Sequence, residues 1–437
     1  MALFSRRFLQ KALNASTGYF SEKQRRDHCK LLNTVHEHYL ATEWEIAILN
    51  SLKDIGTVQY EPPMSGTSRP DILFKASEEI TFVADIAAVS DRGLNRDNPF
   101  EALQEEFRRR QRKAGLGNGG FYTRVGSYPE KHYRGSGKKP RLKLPKISEF
   151  PKRIFNVKFQ NFMDMVRASP EEEHHFQVED EETSVHFSYN PSQRGFGGST
   201  HLSYNLISVI DRNPIYNALA AKAAQLGKCG HEGMKGIILC DAGCWSLHQT
   251  SSNWEFYGLD EVVGHFLRQT RTVSFVIVLI VEDEQRDFAR ITDQTITHKL
   301  YANRHVSLPT ASLERFSEQL VSGLPIPEQN PTNALLQVKR KDGMTGRHLG
   351  TLTHGGDIEM SARMLLEILA GNLTMEQFEQ NYRMKSTENP FRIKLQQGFL
   401  INDLSFAQVP QKDDDRVTIH FGKKDPAVCP FSCDPES

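Results

Sequence analysis

Cysteine is scarce. Six residues (Cys29, Cys229, Cys240, Cys244, Cys429 and Cys433) are spread over 437 positions with no CxxC pair, which argues against a disulfide framework and points to reduced thiols in a cytoplasm. Cys229, His231, Cys240, Cys244 and His248 have loosely zinc-like separations, but Cys240 lies inside an apolar run, so buried free thiols are expected there. Long hydrophobic runs are also missing: none approaches the ~20 residues of a membrane helix, so no membrane partner is expected. An excess of one charge is absent too, with 54 basic against 54 acidic residues, so any nucleic-acid surface must be local. There is no GxSxG elbow for serine catalysis. The GLGNGG stretch at 115–120 follows no strand and is not closed by Lys-Ser/Thr, which argues against a phosphate loop.

What is present centres on Tyr60 to Arg92, YEPPMSGTSRPDILFKASEEITFVADIAAVSDR. Ile72-Leu73-Phe74 follows the Pro70-Asp71 pair, and Ile80 to Val89 is the apolar, β-branched run of an interior strand. Each strand delivers one carboxylate, Asp71 and Asp85. A carboxylate inside such a run is costly unless something needs it there.

Upstream, the basic amphipathic opening MALFSRRFLQKALN is expected to be a plain surface helix rather than a presequence. Residues 23–54 read as helix in two pieces. In the second, Leu40, Trp44, Ala47, Ile48 and Leu52 recur at helical spacing and Gly56 supplies the stop. Glu45, between Trp44 and Ile46, is placed to point sideways towards a neighbouring sheet. Thr57 to Glu61 reads as a first strand, so helix and three strands are complete by Val89.

The character then changes. From Arg108 to Lys158 sixteen Lys or Arg face two acids, Glu130 and Glu149, with Phe121, Tyr122, Tyr128 and Tyr133 interleaved among Gly and Pro. Cations neutralise phosphates and aromatics stack on bases, so this basic loop is expected to face nucleic acid, with Arg108, Arg109, Arg110, Arg112, Lys113, Lys138, Lys139, Arg141 and Lys143 as candidate contacts. The alternative is a solvated loop balanced by the acids of 171–173 and 179–182. Val185 to Tyr189 resumes an alternating strand pattern. Pro214 to Gly227 is a helix with Pro in its first turn and Gly at its end, placing Lys222 and Gln225 on one face. Gly236 to Gly243 and Val273 to Val281 read as strands covered on both faces, joined by a helix at Leu259 to Gln269. Further on, helices are expected at Ser312–Leu320, Ile358–Leu369 and Met375–Tyr382, and strands at Phe391–Leu395, Phe399–Phe406 and Val417–Phe421.

Order and residue types together resemble the PD-(D/E)xK nuclease superfamily. Pro70-Asp71 matches the PD element, Asp85 the acidic position of the second element, and Glu45 the helix-borne glutamate of many members. The wording EWEIAILNSLKDIG, RPDILF, VADIAAVSD, NPIYNALAAKAAQL and GIILCDAG is similar to a bacterial branch with a long insertion after the third strand. The resemblance implies an α/β fold with a restriction-endonuclease-like αβββαβ core, a basic insertion and a C-terminal α+β extension. On this reading the chain divides into an N-terminal helical segment (1–35), two parts of the core (36–92 and 184–300), a basic then acidic insertion (93–183) and the extension (301–437).

One departure stands out: the family's lysine belongs two residues after Asp85, where this chain has Ala87. Some members supply it from the following helix, and Lys222, with Gln225 beside it, matches that position. The set also suits Mg²⁺ or Mn²⁺, hard ions that take carboxylate, carbonyl and water oxygens; Asp71, Asp85, the Ile86 carbonyl and Glu45 are the candidate ligands. The implied activity is metal-dependent endonuclease cleavage of phosphodiester bonds in DNA, within antiviral defence or restriction, by a homo-oligomer or a larger complex. The alternative, prompted by Ala87, is a catalytically inactive nucleic-acid-binding or scaffolding subunit.

Overall fold

The computed structural model describes residues 3–425 apart from 35–38, 118, 129–133, 136–140, 194–196, 205–206, 287–290, 340–351, 355, 373, 376–377, 380–388 and 409–412. Helix α1 (Arg6–Asn14) is capped by Ser5, whose hydroxyl accepts from the Phe8 amide. It is not a plain surface helix: Leu9, Ala12 and Leu13 are buried with Leu3 and Phe4, and the Phe4 ring meets Trp44 edge-on at 5.0 Å. Helix α2 (Glu22–Asn33) opens with a reciprocal Ser21–Gln24 capping box. Helix α3 (Tyr39–Ile55) buries Leu40, Trp44, Ala47, Ile48 and Leu52, the stripe its spacing predicts.

Strands β1 (Thr57–Tyr60), β2 (Ile72–Lys75) and β3 (Thr81–Val89) form an antiparallel meander in which Tyr60 lies opposite Ile72 and Ile72 opposite Ala84. The expected basic loop is instead a folded module. It comprises α4 (Pro99–Lys113), β4 (Phe121–Val125), α5 (Phe150–Arg153), α6 (Val157–Ala168), β5 (His174–Glu179), β6 (Ser184–Tyr189) and β7 (Gly198–Thr200). Its sheet runs β5-β6-β4-β7, and Phe107, Phe121, Phe159, Phe162 and Phe187 fill a core of its own. Charges crowd the exposed positions of these segments and hide the apolar period. The strand at 184–189 therefore belongs to this module, between β5 and β4, rather than to the second part of the core.

The chain then returns to the first sheet. Helix α7 (Pro214–Leu226) precedes β8 (Met234–Asp241), which pairs parallel with β3; α8 (Leu259–Gln269) leads to β9 (Phe275–Arg286), parallel to β8; β10 (Ile291–Ala302) closes back antiparallel. The order β1-β2-β3-β8-β9-β10 makes β3, β8 and β9 interior strands, which is why they read as continuous apolar runs. Alternate side chains divide between two cores. Ile72, Phe74, Phe82, Ala84 and Ile86 pack under α3, whereas Val83, Ala87 and Val89 pack with Ile215 and Leu219 of α7 and with α8. The indole of Trp44 ties α3 to the sheet, its Nε1 donating to the Asp241 carbonyl at 2.7 Å.

Residues 301–437 do not form one separate extension. Helix α9 (Thr310–Ser322) buries Leu313, Phe316 and Leu320 in the same core as α3, and α10 (Pro331–Lys339) adds Ala334. Only then does a third sheet form, with β11 (Leu352–His354), β12 (Asp357–Ser361), α11 (Ala362–Leu369), α12 (Pro390–Gln396), β13 (Ile401–Ala407) and β14 (Arg416–Phe421) in the order β11-β12-β14-β13. Two expectations fail here. The helix expected from Ile358 starts only after Ser361, whose hydroxyl caps it by accepting from Met364, so 357–361 is strand. The strand expected at 391–395 is helix α12, because Asn389 accepts from the Phe391 and Arg392 amides with Pro390 in the first turn. The helix expected at 375–382 falls partly outside the described residues. The chain is thus mixed α/β, and no described helix is long and apolar enough to cross a membrane.

Candidate active site

The site lies where β2 begins beside the middle of β3. Because side chains alternate along β3, Asp85 points to the face that carries α7, and Lys222 of that helix reaches it. Lys222 Nζ donates to Asp71 Oδ2 at 2.9 Å and lies 3.9 Å from Asp85 Oδ2. The carboxylates are laced together through the backbone: the Asp71 amide donates to Asp85 Oδ1 at 3.0 Å, and the Ile86 amide donates to Asp71 Oδ2 at 2.7 Å. Gln225, one turn on, accepts weakly from Lys222 at 3.5 Å and donates to the Arg69 carbonyl at 3.0 Å.

The loop at 61–70 is strapped to the end of α7. The Gly66 amide donates to the Cys229 carbonyl, and a Cβ at Gly66 would sit 1.9 Å from the Lys228 carbonyl oxygen, so only glycine permits this approach. The strap ties the segment that leads into Asp71 to the end of the helix that carries Lys222. Ala87, buried against Ile215 and Leu219, leaves room for α7 at the position where the family pattern would place a lysine.

Asp85 is fully buried, and its Oδ2 has no hydrogen-bond partner among the described residues. Burial and then the neighbouring Asp71 push its carboxyl up to about 6, against the pull of Lys222. Burial likewise raises Asp71, with Lys222 opposing. One ammonium thus faces two carboxylates, and an orphan oxygen is left over, an arrangement that a further cation would relieve. Among the described residues no group of three or more His, Cys, Asp and Glu is arranged to hold a metal ion. A pair of carboxylates is nevertheless what Mg²⁺ ordinarily takes from protein, with waters completing its shell, so the donor set fits that ion.

Glu45 arrives from α3 at the edge of this group. Its Oε2 faces His28 Nε2 at 3.0 Å, and its charge acts with burial to raise the Tyr60 phenol and helps to raise Asp71. Its Oε2 is therefore already engaged. His28 and Tyr60 escape sequence reasoning because no spacing links them to Glu45: His28 sits on α2 with Nδ1 2.8 Å from the Gln24 carbonyl, and Tyr60 ends β1. Burial works most strongly against protonation of His28, but the bond to Glu45 and its charge, together with the Gln24 carbonyl and Glu61, outweigh it and its proton affinity is raised.

The basic candidates are dispersed. Arg109 and Arg110 on α4 both grip Glu106 at 2.7 Å, and Arg110 also covers the Phe155 ring. Arg108 shares that helix, and Arg112 and Lys113 are exposed on its last turn. Arg141 stacks over Tyr128 at 4.7 Å with Lys143 at 5.8 Å from the same ring; Lys138 and Lys139 lie outside the described residues. Arg153 pairs with Asp180 and Glu182, so the acidic run does neutralise part of the basic segment. Cys229, Cys240 and Cys244 are buried free thiols, and Cys429 and Cys433 lie outside the described residues.

No protein-family model, curated protein or solved structure matches this chain.

Proposed function

We propose that the chain is a metal-dependent nuclease of the PD-(D/E)xK type, built on a restriction-endonuclease-like αβββαβ core and hydrolysing phosphodiester bonds in DNA, in the cytoplasm and within bacterial defence. The observation that supports it most is the meeting of Lys222 with Asp71 and Asp85. The helix α3, the meander β1-β2-β3, the helix α7 and the parallel strand β8 stand in the order αβββαβ.

Asp71 and Asp85 would hold Mg²⁺ or Mn²⁺, with the Ile86 carbonyl and Glu45 as further oxygen donors. The bound ion would polarise the scissile phosphate and lower the pKa of a water. Lys222 would then orient the attacking water and steady charge developing on the phosphoryl oxygens, with Gln225 holding the ammonium and the 61–70 loop in register. Glu45 would be held at the edge of the pair by His28.

The test is cleavage of plasmid and linear DNA with Mg²⁺ or Mn²⁺ by wild type, Asp85→Ala and Lys222→Ala. Metal-dependent cleavage lost in both variants supports the assignment. Cleavage indifferent to both refutes it, and salt-sensitive DNA binding without cleavage favours the inactive binding subunit.

A further inference from the structure

The second sheet has one face whose side chains are exposed or half-buried. Phe121, Thr123 and Val125 of β4 and Val185, Phe187 and Tyr189 of β6 point into the core beneath α4 and α6. Their neighbours point the other way. The register places Tyr122 opposite Ser188, which is opposite His175, and Arg124 opposite His186, which is opposite Gln177. Two rows of side chains therefore cross the two central strands, with Arg124, His175 and Gln177 exposed and Tyr122, His186 and Ser188 half-buried.

The composition of this face is unlike that of a merely solvated sheet. The Tyr122 ring lies across β7 in the space a side chain on Gly198 would occupy, since a Cβ there would be 2.9 Å from Cδ2. Its hydroxyl is bonded to Thr200 Oγ1, which pins the ring on the sheet. The His175 and His186 rings stack with centroids 5.3 Å apart and planes inclined by 15°. Burial, His175 and Arg124 all lower the proton affinity of His186, which favours a neutral aromatic ring. Arg124 has no ion pair among the described residues, and neither row contains Asp or Glu; the nearest acids flank the two rows, Glu179 opposite Ser184 at one end and Glu173, hydrogen-bonded to Asn190, at the other.

We propose that this face binds an unpaired nucleic-acid strand, its bases stacking on Tyr122 and the His175–His186 pair and its phosphates meeting Arg124. Flat rings accept any base, and a cation between them follows the backbone. Duplex DNA hides its base faces and gains little from such a platform. The surface rests on the nuclease reading only in sharing its substrate class: it would hold a strand displaced or released by the core, and it uses none of the residues of the catalytic site.

The test is anisotropy of a labelled oligothymidine of about 20 nucleotides, long enough for one such site, with the full chain in EDTA so that no metal-dependent cleavage intervenes. Tyr122→Ala and Arg124→Ala are each expected to weaken binding by about tenfold or more, whereas Tyr122→Phe stays within about twofold because it keeps the ring. Arg124→Ala should also lower the slope of log affinity against log salt by about 0.7, one phosphate contact on a single strand. Near-ultraviolet circular dichroism of each variant confirms the fold. Unchanged affinity in both alanine variants, or no affinity of wild type for the oligonucleotide, overturns the proposal. Cleavage that depends on Asp85 beside affinity that ignores Tyr122 and Arg124 would sink this surface and leave the nuclease reading intact. Affinity lost in both alanine variants, with no cleavage by wild type, would do the reverse.

Discussion

Lys222 Nζ lies 2.9 Å from Asp71 Oδ2 although the two residues are 151 positions apart. The contact exists because β3 and β8 pair in parallel, which requires a crossover, and α7 in that crossover lands on the face of β3 that bears Asp85. A whole module, α4 to β7, is spliced between β3 and α7 without disturbing the contact, because both its ends leave from loops.

That geometry makes Ala87 and Lys222 unequal positions. Ala87→Lys would bury an ammonium among Ile215 and Leu219 and should lower stability by roughly 2–4 kcal/mol. In a Lys222→Ala background it should not restore cleavage. Urea denaturation together with the plasmid assay checks both halves, and a rescued double variant would show that the helix-borne position is not special.

Asp85, raised to about 6 from an ordinary 3.8, makes the fold favour its protonated form. Its ionisation therefore weakens the metal-free protein as pH rises from 3.8 through about 6, with no further change above. Asp85→Asn should gain on the order of 1–3 kcal/mol at pH 7.5 in EDTA. The gain should shrink at pH 5, and added Mg²⁺ should raise the Tm of wild type but not of the variant. Equal Tm values for the two proteins in EDTA at both pH values would contradict this.

Glu43 holds the start of the chain in place. Its buried Oε2 accepts from the Leu3 amide at 2.8 Å and the Phe4 amide at 3.1 Å, and burial raises its carboxyl to about 8. Glu43→Ala leaves two buried amides unpaired and should cost roughly 2–5 kcal/mol. The folded state binds the Glu43 proton more tightly than the unfolded chain, so this contribution falls as pH climbs from 4.5 through about 8. Thermal melts at pH 6 and 8.5 should differ more for wild type than for Glu43→Gln.

Gly66→Ala probes the strap between the 61–70 loop and α7. A methyl group aimed at the Lys228 carbonyl must push the loop away, and with it Asp71. Cleavage is expected to fall by about a hundredfold, since misplacement by about 1 Å is enough to cost that much. The Tm should drop far less than for a core substitution such as Phe74→Ala, whose ring is fully buried. A change in Tm without a change in rate would show that the strap serves stability alone.

The segments of the first sheet other than β10, which no expectation covers, carry their own local signatures in the sequence. The stripe on α3, the apolar runs of β3, β8 and β9, and the proline and glycine bounding α7 specify those elements because burial of one face, or of both, leaves a period in the residues themselves. Glu45, Asp71, Asp85, Lys222 and Gln225 could be named for the same reason, as polar residues that break or edge those patterns. The second module was hidden because its phenylalanines are separated by surface charges, and its core exists only once β4, β5 and β6 pair. At 357–361 and 390–396, pairing with β14 and the Asn389 cap outweighed local periodicity. What only the tertiary structure decided is which distant groups meet: His28 and Tyr60 on Glu45, the Leu3 and Phe4 amides on Glu43, Lys222 between two carboxylates. A sequence records the burial of each residue, whereas contacts across 151 positions depend on strand pairing and helix packing that no single segment encodes.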